Sequence, residues 1–239
     1  MQWYDRTIST LKHGETYSRA KLMDMLRIDN PALSQNSFQW AIGTMVKTGR
    51  IERVGRDEYA LSSGEKLPIY TPPYTDEANA VIEKISKKYS YIRFTVYESC
   101  LLNEFLNHLI AKNTIFVQAE KDSSVFVFRY LQEIMGQGLM YKPTTEDFSL
   151  YWKGDSVIIT DLISEAPLSQ SRPHDITMEK LLVDIYCDKL IRGTFEKSEY
   201  KSIVEQAKAT YQLDKIKLLR YARRRNKEAD IAKIFNGNE

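Results

Sequence analysis

Between Asn36 and Lys47 the chain carries two carboxamides (Asn36 and Gln39), hydroxyls at Ser37 and Thr44, an indole at Trp40 and an ammonium at Lys47. Carboxamides and hydroxyls match the donor and acceptor pattern of base edges in a DNA major groove, and lysine matches a phosphate. A second set lies near the carboxy terminus, where Arg220, Arg223, Arg224 and Lys227 are spaced to share one helical face. Guanidinium presents a fork of donors fitted to anionic oxygens, so this stripe could take a partner protein or a phosphate. It could equally be an ordinary solvated face.

Other chemistry is less well supported. Asp155, Asp161 and Glu165 lie in or just after an apolar run and could gather around Mg²⁺ as in a metal-dependent nuclease. No acidic residue followed two positions later by lysine occurs between Ser149 and Leu162, however. The three histidines, His13, His108 and His174, stand in no zinc-binding or Cys–His pattern. Gly136-Gln137-Gly138 lacks the third glycine of a dinucleotide loop, and no phosphate-binding loop with lysine is present. Cys100 and Cys187 form no C-x-x-C pair. The sequence thus predicts no enzyme, no metal and no cofactor.

The elements that must position these residues follow from periodicity. Trp3, Tyr4, Ile8 and Leu11 predict a first helix over 2–12, stopped by His13-Gly14. Ser18 is a good N-cap for a second helix with Leu22, Met25 and Leu26 inward. A third helix runs from Ser34–Asn36 to Thr48, ended by Gly49, which can adopt the left-handed conformation. Counted back from Gly49, Met45, Ile42 and Phe38 fall on one face, which puts Asn36, Ser37, Gln39, Trp40, Gly43, Thr44 and Lys47 on the other. Ile51–Val54, the turn Gly55-Arg56-Asp57 and Glu58–Leu61 predict a β-hairpin.

Three helices and a hairpin, with the third helix polar outward, resemble a winged helix-turn-helix domain. The resemblance implies that the third helix enters the major groove and that Arg53 and Arg56 are the cations of the wing. Trp40 could stack on a sugar or base, or pack against a second domain.

Ser62-Ser63-Gly64 and the prolines Pro68, Pro72 and Pro73 interrupt periodic structure, predicting domains at 1–67 and 68–239. The second begins with a helix from Thr75 or Asp76 to Tyr89, with Ala80, Val81 and Ile85 inward, and a strand over 91–97. A helix over 101–111, a strand over 114–119, a helix over 124–135 and one or two strands within 150–160 follow. Beyond Pro167 only helices are predicted: 177–192, 197–211, and 213–235 with a break near Asn226. The fold class is α+β: a winged helix-turn-helix, then a mixed α/β domain with a helical carboxy-terminal part.

The run Met178-Glu179-Lys180-Leu181-Leu182-Val183-Asp184-Ile185 and the run Leu218-Leu219-Arg220-Tyr221-Ala222-Arg223-Arg224-Arg225 stand in order behind the winged module. With it they carry a full-length resemblance to the antitoxins of AbiE-type abortive-infection toxin–antitoxin systems. The resemblance implies an autorepressor that binds double-stranded DNA at its own promoter and counters a nucleotidyltransferase-like toxin through its carboxy-terminal domain. From the residues alone, Lys180 and Asp184 read as an intrahelical pair of structural role.

Composition sets the outer limits. Of 239 residues 43% are hydrophobic and 28% charged, the balance of a folded globular chain, and the net charge of +2 names no partner by itself. Its distribution is uneven: residues 197–239 hold eleven basic and six acidic side chains, residues 1–70 ten and eight, and the middle is acidic. No secretion signal or membrane-length apolar run is apparent, and the sparse, unpaired cysteines suit a reducing cytoplasm. The expected function is an antitoxin and repressor. The alternatives are a protein-interaction module without specific DNA binding and, less well supported, the nuclease.

Overall fold

The computed structural model describes residues 2–62, 67–152, 154–193 and 195–237. It is a mixed α+β protein with two small sheets, and it divides into two compact units. One is Met1–Leu67 with Asp214–Ile216, and the other is Pro68–Leu213 with Lys217–Glu239. Ser63 and Gly64, counted above as part of the break, lie outside the described residues. Among the described residues no helix is long and apolar enough to cross a membrane.

The first unit runs α1 (Asp5–Thr10), β1 (Thr16–Ser18), α2 (Arg19–Asp29), α3 (Gln35–Lys47), β2 (Ile51–Gly55) and β3 (Glu58–Leu61). Two serine caps begin the longer helices: the Ser18 hydroxyl accepts from the Lys21 amide and Ser34 from Ser37, each at 3.2 Å, filling donors that a helix start leaves open. Gly49 ends α3 at φ +67°, where a side chain would strain the backbone. Leu22 and Leu26 of α2 pack with Phe38, Ala41, Ile42 and Met45 of α3 and with Ile51 and Tyr59 of the hairpin.

Two expectations change here. The first helix is shorter than 2–12, because Tyr4 and Leu11 bury themselves as its flanking residues while Trp3 remains at the surface. The hairpin also gains a third strand: β1 pairs antiparallel with β3, Tyr17 opposite Tyr59, in the sheet order β1-β3-β2. Three residues carry no readable period, so the pairing creates this strand.

The second unit is built on a four-stranded sheet, β4 (Phe94–Glu98), β5 (Thr114–Ala119), β6 (Leu139–Tyr141) and β7 (Ser156–Asp161), in the order β4-β5-β7-β6. β4 runs antiparallel to β5, and the other neighbours are parallel. On one sheet face Phe94, Val96, Ile115, Val117, Val157 and Ile159 pack under α4 (Asp76–Lys88) and α5 (Ser124–Met135), through Val81, Ile85, Val127 and Leu131. On the other, Tyr97, Phe116 and Ile158 meet α6 (Thr145–Tyr151), α7 (Met178–Cys187), α8 (Lys189–Arg192), α9 (Tyr200–Thr210), α10 (Lys215–Arg224) and α11 (Glu228–Phe235). Helices on both faces explain why β5 is buried along its whole length. The outer edge of β4 is also covered, since the Val96 amide donates to the His174 carbonyl at 3.0 Å.

The helix expected over 101–111 is only a 3-10 turn, Ser99–Glu104. Asparagine side chains offer the backbone another partner: Asn103 Oδ1 accepts from the Ile110 amide at 2.7 Å and Asn113 Oδ1 from Cys100 at 3.2 Å. Residues 150–151 belong to α6, nucleated by the reciprocal cap of Thr144 and Asp147, so β7 is the one strand within 150–160 among the described residues. The helix expected over 177–192 breaks at Asp188, whose carboxylate caps α8. The break near Asn226 is present, with that residue at φ +57° between α10 and α11.

Lys180 and Asp184 form the expected pair, but both are almost wholly buried. The Lys180 ammonium also donates to Gln118 of β5, while Asp184 accepts from the Tyr221 hydroxyl at 2.8 Å and from Arg225 at 3.3 Å. Burial and the neighbouring Asp184 push the Tyr221 hydroxyl far above its usual range, so it is held as a donor. Removing one partner of such a set leaves a dehydrated charge uncompensated. Asp184→Ala should therefore lower the unfolding free energy by about 3–5 kcal/mol and Tyr221→Phe by about 1.5–3 kcal/mol, both measured by denaturant titration.

Candidate nucleic-acid interface

α3 separates its two faces cleanly. Phe38, Ala41, Ile42 and Met45 are buried, whereas Asn36, Ser37, Gln39, Trp40 and Lys47 are exposed and Thr44 is half-buried. Trp40 is 58% exposed, a large apolar surface to leave in water. A Cβ added at Gly43 would meet nothing within 4 Å, so the middle of this face is open. The hydroxyls are partly engaged: Ser37 accepts from Ser34 at 2.9 Å, and Thr44 donates to the Trp40 carbonyl at 2.9 Å. On this face Asn36, Gln39 and Lys47 therefore hold the freest polar groups.

Asn36, Ser37 and Trp40 also line an open concavity of about 470 Å³ with Trp3 and Asn30. Periodicity places Trp3 only among the apolar positions of the first helix and gives Asn30 no part in this face. Nothing in their spacing would have found them, because they reach this face through the packing of their own elements. In the hairpin Arg53 and Arg56 are both exposed, and Arg53 Nε donates to the Gly55 carbonyl at 3.2 Å. Asp57, at φ +56°, turns the chain between β2 and β3.

The carboxy-terminal stripe is not a row of free cations. Arg223 grips Glu228 through two bonds of 2.7 and 2.6 Å, and Lys227 pairs with Asp230 at 2.8 Å. These bonds raise the pKa of each cation and lower that of each carboxyl, as local neutralisation requires. Arg224 Nε donates to the Ser164 hydroxyl, and Arg220 is exposed. Arg225, outside the stripe as read from sequence, is the one turned inward to Asp184.

The carboxylates weighed as a metal site are dispersed. Asp161 accepts from Ser124 and pairs with Lys142, while Asp155 and Glu165 occupy left-handed turn positions. Among the described residues no group of three or more His, Cys, Asp and Glu is placed to hold a metal ion. His108 lies 3.3 Å from Glu199, and His174 stacks on Phe94, where burial lowers its pKa. Burial pushes the Cys100 thiol up to about 12 and Cys187 up to about 11, so neither is a thiolate at neutral pH.

A family model described as a family of unknown function, DUF6577, matches residues 37–239. The chain belongs to this family. The region matched in this DUF6577 protein begins within α3 and takes in the hairpin and all of the second unit. No curated protein and no solved structure matches it.

The two faces of α3 should respond oppositely to truncation. Phe38→Ala should cost about 3–5 kcal/mol of stability through the cavity it leaves, whereas Trp40→Ala should stay within about 0.5 kcal/mol. Thermal and denaturant unfolding of the two variants measures the contrast.

Proposed function

We propose that the first unit is a winged helix-turn-helix that binds DNA, with α3 in the major groove and the β2–β3 hairpin as the wing. The observation that carries the reading is the division of α3: four apolar residues hold it to the core, and its outward face offers Asn36, Gln39 and Lys47 beside an exposed indole. Carboxamides read base edges, and Lys47 suits a phosphate at the end of the helix. Arg53 and Arg56 anchor the wing on the backbone of the duplex. Trp3 and Asn30 widen the contact beside Trp40.

On this reading the protein represses its own promoter. The resemblance to AbiE-type antitoxins extends the proposal to a nucleotidyltransferase-like toxin countered through the second unit. Arg220 is the cation of the carboxy-terminal stripe best placed to meet such a partner, since Arg223 and Lys227 already have carboxylates.

Gel-shift titration on the upstream promoter fragment, against an unrelated fragment of equal length, tests the DNA reading. Preference for the promoter that survives added salt is expected. Gln39→Ala should weaken promoter binding by about 5- to 150-fold, and Lys47→Ala should weaken all duplexes alike and reduce the salt slope by about one. Unchanged binding in both variants removes α3 from the groove. For the antitoxin reading, co-expression should restore growth of cells poisoned by the product of a neighbouring toxin-like gene, and failure to do so rejects it.

A further inference from the structure

The most conspicuous unassigned surface of the second unit lies where the end of α4 meets α5. Tyr89 contacts Tyr130 edge to face at 5.8 Å between ring centres and Tyr91 at 6.4 Å, and its hydroxyl donates to the Phe126 carbonyl at 3.4 Å. Tyr89 and Tyr130 are half-buried and lean on the edge of the core, whereas Tyr91 lies outside it. The buried stripes of the two helices are Ala78, Val81 and Ile85 on α4 and Val127 and Leu131 on α5. Tyr91 is 78% exposed and Phe126 53%, so both rings stand open at the surface of this unit.

The same surface is cationic. From Val81 to Arg93 there are four basic side chains and one carboxylate, Glu83. Lys88 Nζ lies 5.6 Å from the centre of the Tyr130 ring, and Lys84 stands one helical turn before it. Lys84, Lys87 and Lys88 are exposed, and among the described residues no ion pair engages them, nor Arg129 of α5. Arg93 is the exception, paired with Glu120. This is the reverse of the carboxy-terminal stripe, where neighbouring carboxylates answer the cations.

We propose that this aromatic and lysine-rich surface of α4 and α5, centred on Tyr91 and Phe126 with Tyr89, Tyr130, Lys84 and Lys88, binds single-stranded nucleic acid. Open ring faces stack on unpaired bases of any identity, and unpaired cations follow the phosphates. A duplex keeps its bases stacked on one another and offers these rings no partner. A protein partner fits less well, because lysine is depleted from the cores of protein interfaces. The surface shares no residue with the face of α3, so the inference stands apart from the promoter-binding reading.

The test is fluorescence anisotropy of the full chain with labelled oligo-dT and oligo-U of about 20 nucleotides, longer than one site of this kind needs. Wild-type protein should bind both. Tyr91→Ala should lose about 5- to 150-fold in affinity, as expected for one stacked base, and Tyr91→Phe should retain binding because the ring remains. Lys84→Ala with Lys88→Ala should reduce the salt slope by about 1.4, the value for two phosphates on a single strand. Gln39→Ala with Lys47→Ala should leave oligonucleotide affinity unchanged, and Tyr91→Ala should leave promoter binding unchanged, which separates failure of one proposal from failure of the other. Absence of saturable oligonucleotide binding would overturn the proposal. So would equal binding by wild type and Tyr91→Ala, or loss of oligonucleotide binding in the α3 variant.

Discussion

An ammonium group shut off from water must have acceptors, and Lys180 finds them in two directions. On its own helix it meets Asp184, and across the interface it meets Gln118 on β5. Asp184 in turn gathers Tyr221 and Arg225 from the end of α10. One side chain thereby ties the sheet, α7 and the carboxy-terminal helices into a single polar contact inside an apolar core. The arrangement demands a particular register, since a dehydrated charge displaced from its partners costs several kcal/mol.

That demand shapes the surface as well. With Arg225 drawn inward, the other cations around it stand beside the start of α11, where Glu228 and Asp230 bind Arg223 and Lys227. The most basic stretch of sequence is therefore largely neutralised in place. Between Val81 and Arg93 a smaller excess of positive charge meets few carboxylates and lies beside exposed rings. Net charge along a sequence and free charge on a surface are different quantities, and association with a polyanion depends on the second.

In the first unit the governing constraint is apolar. Four buried residues orient α3, and a helix so oriented has one set of side chains left for solvent. This is why the polar face of α3 is legible in the sequence: Ser34, the steps of four and three residues between Phe38, Ile42 and Met45, and Gly49 four residues on all act within one helix. The serine cap of α2, the start of α4 at Thr75 or Asp76, the hairpin and the break near Asn226 were legible for the same reason. Elements whose stability comes from a distant partner were not. β1 and β6 are three residues each and exist as strands through their neighbours. The loop that replaced a helix after Leu101 is held by asparagine bonds spanning seven and thirteen residues, and no period in the sequence reports those.

The candidate site divides along the same line. Residue types and helical spacing determined that Asn36, Gln39, Trp40 and Lys47 share an outward face, because that follows from the pitch of one helix. Tertiary structure decided that Trp3 and Asn30 join them, that Lys180 and Asp184 are core, and that Tyr89, Tyr91, Phe126 and Tyr130 meet on one surface. Sequence carries local geometry, which repeats every few residues. Burial, charge pairing and the meeting of side chains from separate elements depend on how those elements pack, and only the folded chain sets that.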